Sequence, residues 1–336
     1  MDKNKLNKIA NSLVYDSKGI LAADESTATI SKRFEQINLE SNFENRRKYR
    51  ELLFKTPKLG DYINGVILFD ETIRQSDENG KSFVDILKDQ NIQSGIKVDA
   101  GAKPLLGSAI EKNTEGLDNL DNRMKEYSEL GATFTKWRAV ITIMNDFPTE
   151  YCMNINSDSL ARYSRIAQSH NLVPIVEPEV LMDGSHTIEK CFDITSKMLE
   201  VVFEHLIKHN VHLGGILLKP NMIISGTESG ETNIPDLISK KTYECLQKYV
   251  PKEVPGIVFL SGGQSNELAT ENLDLINKLN NEPWKLSFSY GRALQQPVLK
   301  KWGGSKDNFE VAQMELLKRA KLNFLAAKGE YDSNLE

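Results

Sequence analysis

Lys219 stands at the end of the apolar stretch 216–218 and is followed at once by Pro220. A lysine on a buried strand is poorly solvated, and desolvation or a neighbouring cation lowers the pKa of its amine. A neutral amine can attack a carbonyl carbon and form a Schiff base. The same pattern also suits a strand-end lysine whose stem packs against the sheet while its ammonium reaches water. This stretch alone favours the second, structural interpretation, because strand-end lysines are common.

Other charged side chains that could work with such an amine also follow apolar stretches. Lys136 could be the second cation beside Lys219, or simply a charged strand end. Carboxylates at Asp24, Glu177 and Glu179 could move protons on and off a carbinolamine oxygen, or take the proton of a hydroxyl while a carbon–carbon bond breaks. The alternative for these acids is a set of structural salt bridges.

Glycine-containing segments follow two further apolar stretches. Ser261, Gly262 and Gly263 follow one of them, and Gly291 and Arg292 follow the other. Glycine lets backbone amides approach an anion closely, and arginine adds charge-assisted hydrogen bonds. A lone Ser-Gly-Gly is more often a simple turn, so the prediction of a phosphate site depends on the two segments lying together.

Two more cations could hold another anion across the same opening. Lys97 follows the third apolar stretch, and Arg33 lies in a polar stretch after Asp24. A pair of anion sites would suit a substrate phosphorylated at both ends. Both side chains could equally be solvated surface charges.

Eight apolar stretches alternate with stretches of helical spacing, and we interpret them as strands at about residues 19–25, 64–71, 93–99, 132–140, 172–179, 214–221, 256–263 and 284–292. Strands that are apolar throughout indicate a parallel sheet covered on both faces. Eight strand–helix units in one chain favour a closed barrel over a doubly wound sheet. The sequence therefore predicts an α/β fold, a (β/α)8 TIM barrel that residues 1–336 form as a single domain. Helices at about residues 5–15 and 308–327 would be additions to it.

The polar candidates lie at or near the C-terminal ends of these stretches. In a barrel these ends meet at one mouth, where catalytic groups gather. Charges placed without function would be divided evenly between strand starts and strand ends. The asymmetry therefore favours an enzyme.

The composition excludes several other classes of protein. A net charge of −5 provides no basic surface for nucleic acid. Cys152, Cys191 and Cys245 are widely spaced, which indicates neither a disulfide framework nor a CxxC metal site. The charged start and the absence of a long apolar stretch predict neither a signal peptide nor a membrane span. We therefore expect a cytoplasmic protein.

The histidines do not suggest a catalytic metal. His205 and His209 are four residues apart, but the glutamate of a zincin motif is missing between them. They fall in the middle of a predicted helix, so we interpret them as surface or packing residues. The chain also lacks a Walker loop and a G-x-G-x-x-G motif, so nucleotide binding is not predicted.

Taken together, these motifs resemble those of the class I, or Schiff-base, fructose-bisphosphate aldolases. The resemblance covers nearly the whole chain in the right order, through segments 21–27, 95–99, 136–138, 175–179, 217–222, 259–265 and 288–295. It implies a TIM barrel, usually a homotetramer, that acts on sugar phosphates without a metal or other cofactor. The implied reaction is the reversible cleavage of fructose 1,6-bisphosphate to dihydroxyacetone phosphate and glyceraldehyde 3-phosphate.

The resemblance also implies roles for individual residues. Lys219 would form the Schiff base, and Glu177 would be the acid and base for carbinolamine formation and dehydration. Asp24 would orient or deprotonate the C4 hydroxyl, with Lys136 as the cation beside it. The ketone-end phosphate would be bound by Ser261, Gly262, Gly291 and Arg292, and the rest of the cleft would be lined by Thr29, Lys32, Arg33, Lys97 and Arg138.

Two other functions stay open at this point. One is a barrel that binds sugar phosphates or serves as a scaffold, and the other is an aldolase that prefers another ketose phosphate. The lysines and acids argue against the first, because a binding protein has no use for a nucleophilic lysine flanked by carboxylates.

Overall fold

The computed structural model describes residues 1–336 and contains a closed barrel of eight parallel strands, which confirms the predicted fold. Each strand is hydrogen-bonded to its neighbours in the chain, and the last strand closes onto the first. In chain order the barrel strands are β1 Gly19–Ala23, β2 Ile63–Leu68, β3 Gln93–Lys97, β4 Phe134–Ile141, β5 Val173–Val180, β6 Leu217–Leu218, β7 Gly256–Phe259 and β8 Lys285–Tyr290. A separate antiparallel hairpin pairs Ala102–Pro104 with Lys112–Thr114.

Helices cover the outside of the barrel. They are α1 Lys3–Leu13, α2 Thr27–Glu35, α3 Phe43–Phe54, α4 Asp70–Ile73, α5 Phe83–Asp89, α6 Leu120–Glu129, α7 Glu150–Ser169, α8 Ile188–Lys208, α9 Pro235–Tyr249, α10 Asn266–Leu279, α11 Arg292–Trp302 and α12 Phe309–Ala326. Several begin at a hydroxyl that accepts a backbone N–H of the first turn, such as Thr149 before α7, Thr187 before α8 and Ser265 before α10. The terminal helices α1 and α12 lie within two residues of the predicted bounds.

Below the mouth, the interior of the barrel is filled by packed apolar side chains, which we call the apolar plug. Its inward-facing side chains form one buried cluster of Ile20, Ala22, Ile67, Phe134, Val173, Ile175, Leu217 and Val258, which α1 closes with Leu6, Ala10 and Leu13. Side chains on a strand alternate between its two faces, so the next inward position lies two residues further along. That position is polar in four strands or just after them, at Asp24, Lys136, Glu177 and Lys219. The alternation that builds the plug therefore also directs these four side chains into the mouth.

Two histidines occupy a different position from the predicted one. His205 lies in the last turn of α8 and His209 is its C-cap residue, so the prediction that both lie in the middle of a helix is wrong. The helix ends there because Asn210 adopts a left-handed conformation, with φ of 54°.

None of the helices combines the length and apolarity that crossing a membrane requires.

Candidate active site

Asp24, Lys136, Glu177 and Lys219 form one continuous series of ion pairs in the barrel mouth, which we call the ion-pair chain. Glu177 contacts both lysines, with Oε1 3.1 Å from Lys219 Nζ and Oε2 3.2 Å from Lys136 Nζ. Lys136 Nζ also lies 2.6 Å from Asp24 Oδ2. No side chain of the four is more than 12% exposed. Residues from four separate parts of the sequence thus meet in one buried cluster.

The hydrogen-bond ladder between β5 and β6 sets Lys219 beside Glu177. Val176 of β5 pairs with Leu218 of β6, and the N–H of Lys219 donates to the carbonyl of Val176 at 2.8 Å. Pro220 follows and has no N–H with which to continue the ladder. Lys219 is therefore the last residue here whose own N–H pairs with β5, while the carbonyl of Pro220 still accepts from the N–H of Leu260 at 3.1 Å.

The side chains of β4 alternate between the outer packing layer and the interior of the barrel. Trp137 stacks on Tyr163 of α7, with ring centroids 5.5 Å apart, and so faces the outer layer. Lys136 and Arg138, its neighbours on either side, consequently face the barrel interior. Trp137 packs outward, which agrees with a purely structural role for that residue. Lys136 beside it nevertheless belongs to the ion-pair chain.

Opposite charges outweigh burial in the ion-pair chain. Burial raises the pKa of Asp24 and of Glu177, but the charges of Lys136 and Lys219 hold the pKa of both carboxyls below the usual range. Burial lowers the pKa of Lys136, but Asp24 and Glu177 hold that pKa above its ordinary value. At neutral pH, Asp24 and Glu177 are therefore carboxylates, and Lys136 is an ammonium.

A cavity of about 510 Å³ opens beside Asp24 and Lys136. Five of the residues predicted to line the cleft lie in its wall, namely Thr29, Arg33, Lys97, Arg138 and Gly291. All three of these cations have carboxylate partners. Lys97 pairs with Asp99, and Arg138 pairs with Glu179. Arg33 pairs with Glu25. The cations of the wall are therefore held in place by acids.

The segment Ser261–Gly263 lies on the β5 side of the mouth. A side chain at Gly262 or Gly263 would collide with Met182, and Gly262 also lies beside Glu179. Gly263 has φ of 74°, in the left-handed region that favours glycine. The path of the backbone therefore requires glycine at position 263, whereas the contact at Gly262 is with the terminal methyl of Met182, which can move aside.

Arg292 and Lys32 lie outside the wall of the main cavity. Arg292 is the exposed first residue of α11 and lines a neighbouring cavity of about 100 Å³ together with Arg33 and Gln295. Lys32 is exposed in the last turn of α2. The N-cap of α11 is Gly291, which lies in the wall of the main cavity and provides no side-chain cap. A helix N-terminus of this kind can bind an anion.

Ser289 of β8 is a site residue that the sequence analysis did not single out. The hydroxyl of Tyr290, the next residue, donates to the carbonyl of Ala269 on α10, so Ser289 faces the barrel interior. Its buried hydroxyl has no hydrogen-bond partner. The signal in the sequence is a small polar residue two positions before Gly291, at the end of an otherwise apolar strand.

Glu25, the acid that follows Asp24, belongs to a separate group of ion pairs. Its carboxylate accepts hydrogen bonds from Arg50 Nη2 at 2.7 Å and from Gln295 Nε2 at 2.8 Å, and it also pairs with Arg33. Glu25 and Arg50 are almost fully buried. This acid therefore has the structural role of fixing Arg33 at the edge of the cavity.

Comparison with known proteins agrees with this geometry. The family model described as "Glycolytic: Fructose-bisphosphate aldolase class-I" matches residues 5–336. The chain is 52% identical to fructose-bisphosphate aldolase 4, cytosolic, from Arabidopsis thaliana over 95% of this chain and 81% of that protein. It is 49% identical to the muscle-type fructose-bisphosphate aldolase of Lethenteron camtschaticum over 98% of this chain and 91% of that one.

A solved structure extends the similarity to three dimensions. The fructose-bisphosphate aldolase of Plasmodium falciparum, crystallised with TRAP and a small molecule inhibitor, superposes with a TM-score of 0.97. The two sequences are 48% identical, and the match covers 98% of this chain and 96% of that one. The chain therefore belongs to the class I fructose-bisphosphate aldolase family and is, as a Schiff-base aldolase, a carbon–carbon lyase.

Proposed function

We propose that this chain cleaves fructose 1,6-bisphosphate reversibly through a Schiff base on Lys219. In this proposal Glu177 and Asp24 transfer protons, and Lys136 provides the balancing positive charge. The observation that carries the proposal is the position of Glu177, whose two carboxylate oxygens contact the two lysines. A carboxylate in this position can exchange protons with the amine that attacks the substrate. The family membership supports the same substrate and the same chemistry.

The first stage forms the iminium. Glu177 takes a proton from the ammonium of Lys219, which leaves a neutral amine and a protonated acid. The amine attacks the C2 ketone, and one proton moves from its nitrogen to the C2 oxygen to give the neutral carbinolamine. The hydroxyl leaves as water when Glu177 returns the first proton, which forms the iminium. The carboxylate that Glu177 regains then balances the positive iminium. Lys136 stays protonated and holds Glu177 in place.

The second stage breaks the bond between C3 and C4. Asp24 takes the proton of the C4 hydroxyl, C4 leaves as the aldehyde of glyceraldehyde 3-phosphate, and the bonding electrons move into the iminium to form an enamine. Protonation of the enamine at C3 and hydrolysis of the iminium release dihydroxyacetone phosphate. The iminium itself is the electron sink, so this route requires no metal.

The phosphate groups would be held at the two sides of the mouth. We assign the ketone-end phosphate to Ser261, Gly262, Gly263, Gly291 and Arg292, and the other side of the cleft to Thr29, Lys32, Arg33, Lys97 and Arg138. Glu179 would support both groups, because it lies beside Gly262 of the first and pairs with Arg138 of the second. The exposed position of Arg292 requires its side chain to turn toward the phosphate when substrate binds.

Borohydride reduction tests the assignment of the nucleophile. In the presence of dihydroxyacetone phosphate, borohydride should inactivate the protein and add one adduct, which mass mapping should place on Lys219. Lys219→Met should fold and lose cleavage by several orders of magnitude. Lys285→Met is the matched control, because Lys285 is exposed at the start of β8. An adduct on another lysine would contradict the proposal.

We also propose that the active form is a homotetramer in the cytoplasm. The resemblance to the family supports the oligomer, and the Arabidopsis relative named as cytosolic supports the location. Light scattering coupled to size-exclusion chromatography measures the assembly. A mass of one chain, 37.9 kDa, at working concentration would contradict the tetramer.

A further inference from the structure

Two pairs of polar side chains face each other on the outside of the barrel, where α7 packs against α8. Asn154 and Asp158 are four residues apart on α7, as are His205 and His209 at the end of α8. His205 Nε2 lies 3.2 Å from Asn154 Oδ1, and His209 Nε2 lies 3.1 Å from Asp158 Oδ1. Residues four apart share one face of a helix, so the two contacts lie side by side.

Three of these side chains are arranged to coordinate one ion. A ring nitrogen of each histidine and a carboxylate oxygen of Asp158 all lie within 4.8 Å of one another. The two imidazole rings are nearly parallel, with 19° between their planes and 6.4 Å between their centroids. Zinc–ligand bonds of about 2.0–2.2 Å place two ligand atoms at most about 4.4 Å apart. Small rotations of the side chains therefore suffice to surround an ion.

The chemistry of the donors favours a late transition metal. Imidazole with one carboxylate suits Zn²⁺, Cu²⁺ or Ni²⁺, whereas Mg²⁺ and Ca²⁺ prefer oxygen ligands throughout. Arg162 lies near the second carboxylate oxygen of Asp158, at 3.7 Å, and leaves Oδ1 directed at the histidines.

Access and position also suit a bound ion. The side chains of Asp158 and His209 are 38% and 32% exposed, so an ion can enter from solvent and keep water in its remaining positions. The end of α8 leads into the start of β6, on the side of the barrel away from the mouth. The cluster is therefore separate from the residues of the active site.

We propose that Asp158, His205 and His209 bind one divalent late-transition-metal ion, for which Zn²⁺ is the probe, and that this ion links α7 to α8. These helices precede and follow β5, the strand that contains Glu177. Because the three ligands meet only in the folded chain, a bound ion stabilises that chain in proportion to its occupancy. The ion has no part in the chemistry at Lys219.

Zinc binding to the full-length protein, stripped beforehand with EDTA, tests the site. Equilibrium dialysis with metal analysis should find one tight Zn²⁺ per chain, and saturation should raise the temperature of thermal unfolding. His205→Ala and His209→Ala should each weaken binding by at least the ~10–100-fold that loss of an outer-shell partner costs. Asp158→Asn should weaken it as well, and this nearly isosteric change keeps the test valid if a histidine variant folds poorly.

His170→Ala is the matched control. His170 also contacts one carboxylate, Asp121 at 2.8 Å, but it has no third donor. Its removal should leave zinc binding and thermal stabilisation at the wild-type level. Zinc binding that survives in His205→Ala, His209→Ala and Asp158→Asn would overturn the proposal.

Turnover distinguishes this site from the active site. Cleavage of fructose 1,6-bisphosphate by the stripped protein, and by His205→Ala, should equal that of the wild type. Loss of turnover on stripping, restored by zinc, would contradict the separation of the metal from the chemistry. A failure of the borohydride test would leave the zinc measurements unaffected, so the two proposals fail independently.

Discussion

The Oε1 atom of Glu177 lies 3.1 Å from the Nζ atom of Lys219, and the backbone that fixes this distance is the ladder between β5 and β6. The pair is buried, and the second oxygen of Glu177 is held by Lys136 at 3.2 Å. The amine-bearing side chain and the acid thus lie in direct contact in the barrel mouth. Removal of the Glu177 carboxylate should therefore impair turnover.

Glu177→Gln should fold but lose turnover by about 10²–10⁴-fold, because an amide cannot take the proton of Lys219 and return it to the carbinolamine. Steady-state cleavage of fructose 1,6-bisphosphate measures the loss, and far-UV circular dichroism checks the fold. Glu189→Gln, in the exposed first turn of α8, is the control and should keep full activity. Turnover at the wild-type level in Glu177→Gln would contradict the role.

Arg292→Ala should act mainly through phosphate binding. The loss of one charge-assisted contact costs about 1.5–3 kcal/mol, or roughly ten- to a hundredfold in affinity. The variant should therefore lose more kcat/KM on the bisphosphate than on a ketose that lacks the phosphate at the ketone end. Lys300→Ala, exposed on the same helix, should change neither value. Equal losses on both substrates would argue against the assignment.

Glu25→Ala should destabilise the chain strongly. The change leaves Arg50, whose side chain is only 3% exposed, without its carboxylate. Breaking a buried pair in this way costs about 3–5 kcal/mol, whereas an exposed pair is worth about 0–1 kcal/mol. Glu44→Ala is the control, because Glu44 is 50% exposed where it pairs with Arg47. Urea denaturation measures both free energies of unfolding, and similar values for the two variants would refute the prediction.

Asp24 should make the stability of the chain depend on acidic pH. Its pKa in the folded chain is lowered from 3.8, because the charges of Lys136 and Lys219 outweigh the effect of burial. A carboxyl with a lowered pKa contributes its full stabilisation above the unfolded value and loses it as the pH falls further. The free energy of unfolding should therefore fall more steeply below pH 3.8 in the wild type than in Asp24→Asn. Urea titrations at a series of pH values provide the comparison, and parallel curves would rule out this contribution.

The sequence by itself determined the type of fold and most of the polar side chains of the mouth. Eight apolar strands, each ending in polar or charged residues, allow few architectures other than a barrel. The positions of Lys136 and Glu177 at strand ends also placed both residues at the mouth of the barrel, whereas their inward orientation comes from the structure. The family resemblance assigned roles to these residues, and the roles remain predictions that the experiments above test.

Only the tertiary structure decided which of these side chains touch. The sharing of Glu177 between Lys136 and Lys219 depends on the register of three strands, and a shift of one residue would turn the side chains away from each other. Glu25 meets Arg50 of α3 across 25 residues of sequence, and Arg292 at the start of α11 lines a cavity beside the main one. Pairings of this kind join residues far apart in sequence, so local helix and strand propensities cannot predict them. They follow from barrel closure and helix packing, which bring these residues within a few ångströms of one another.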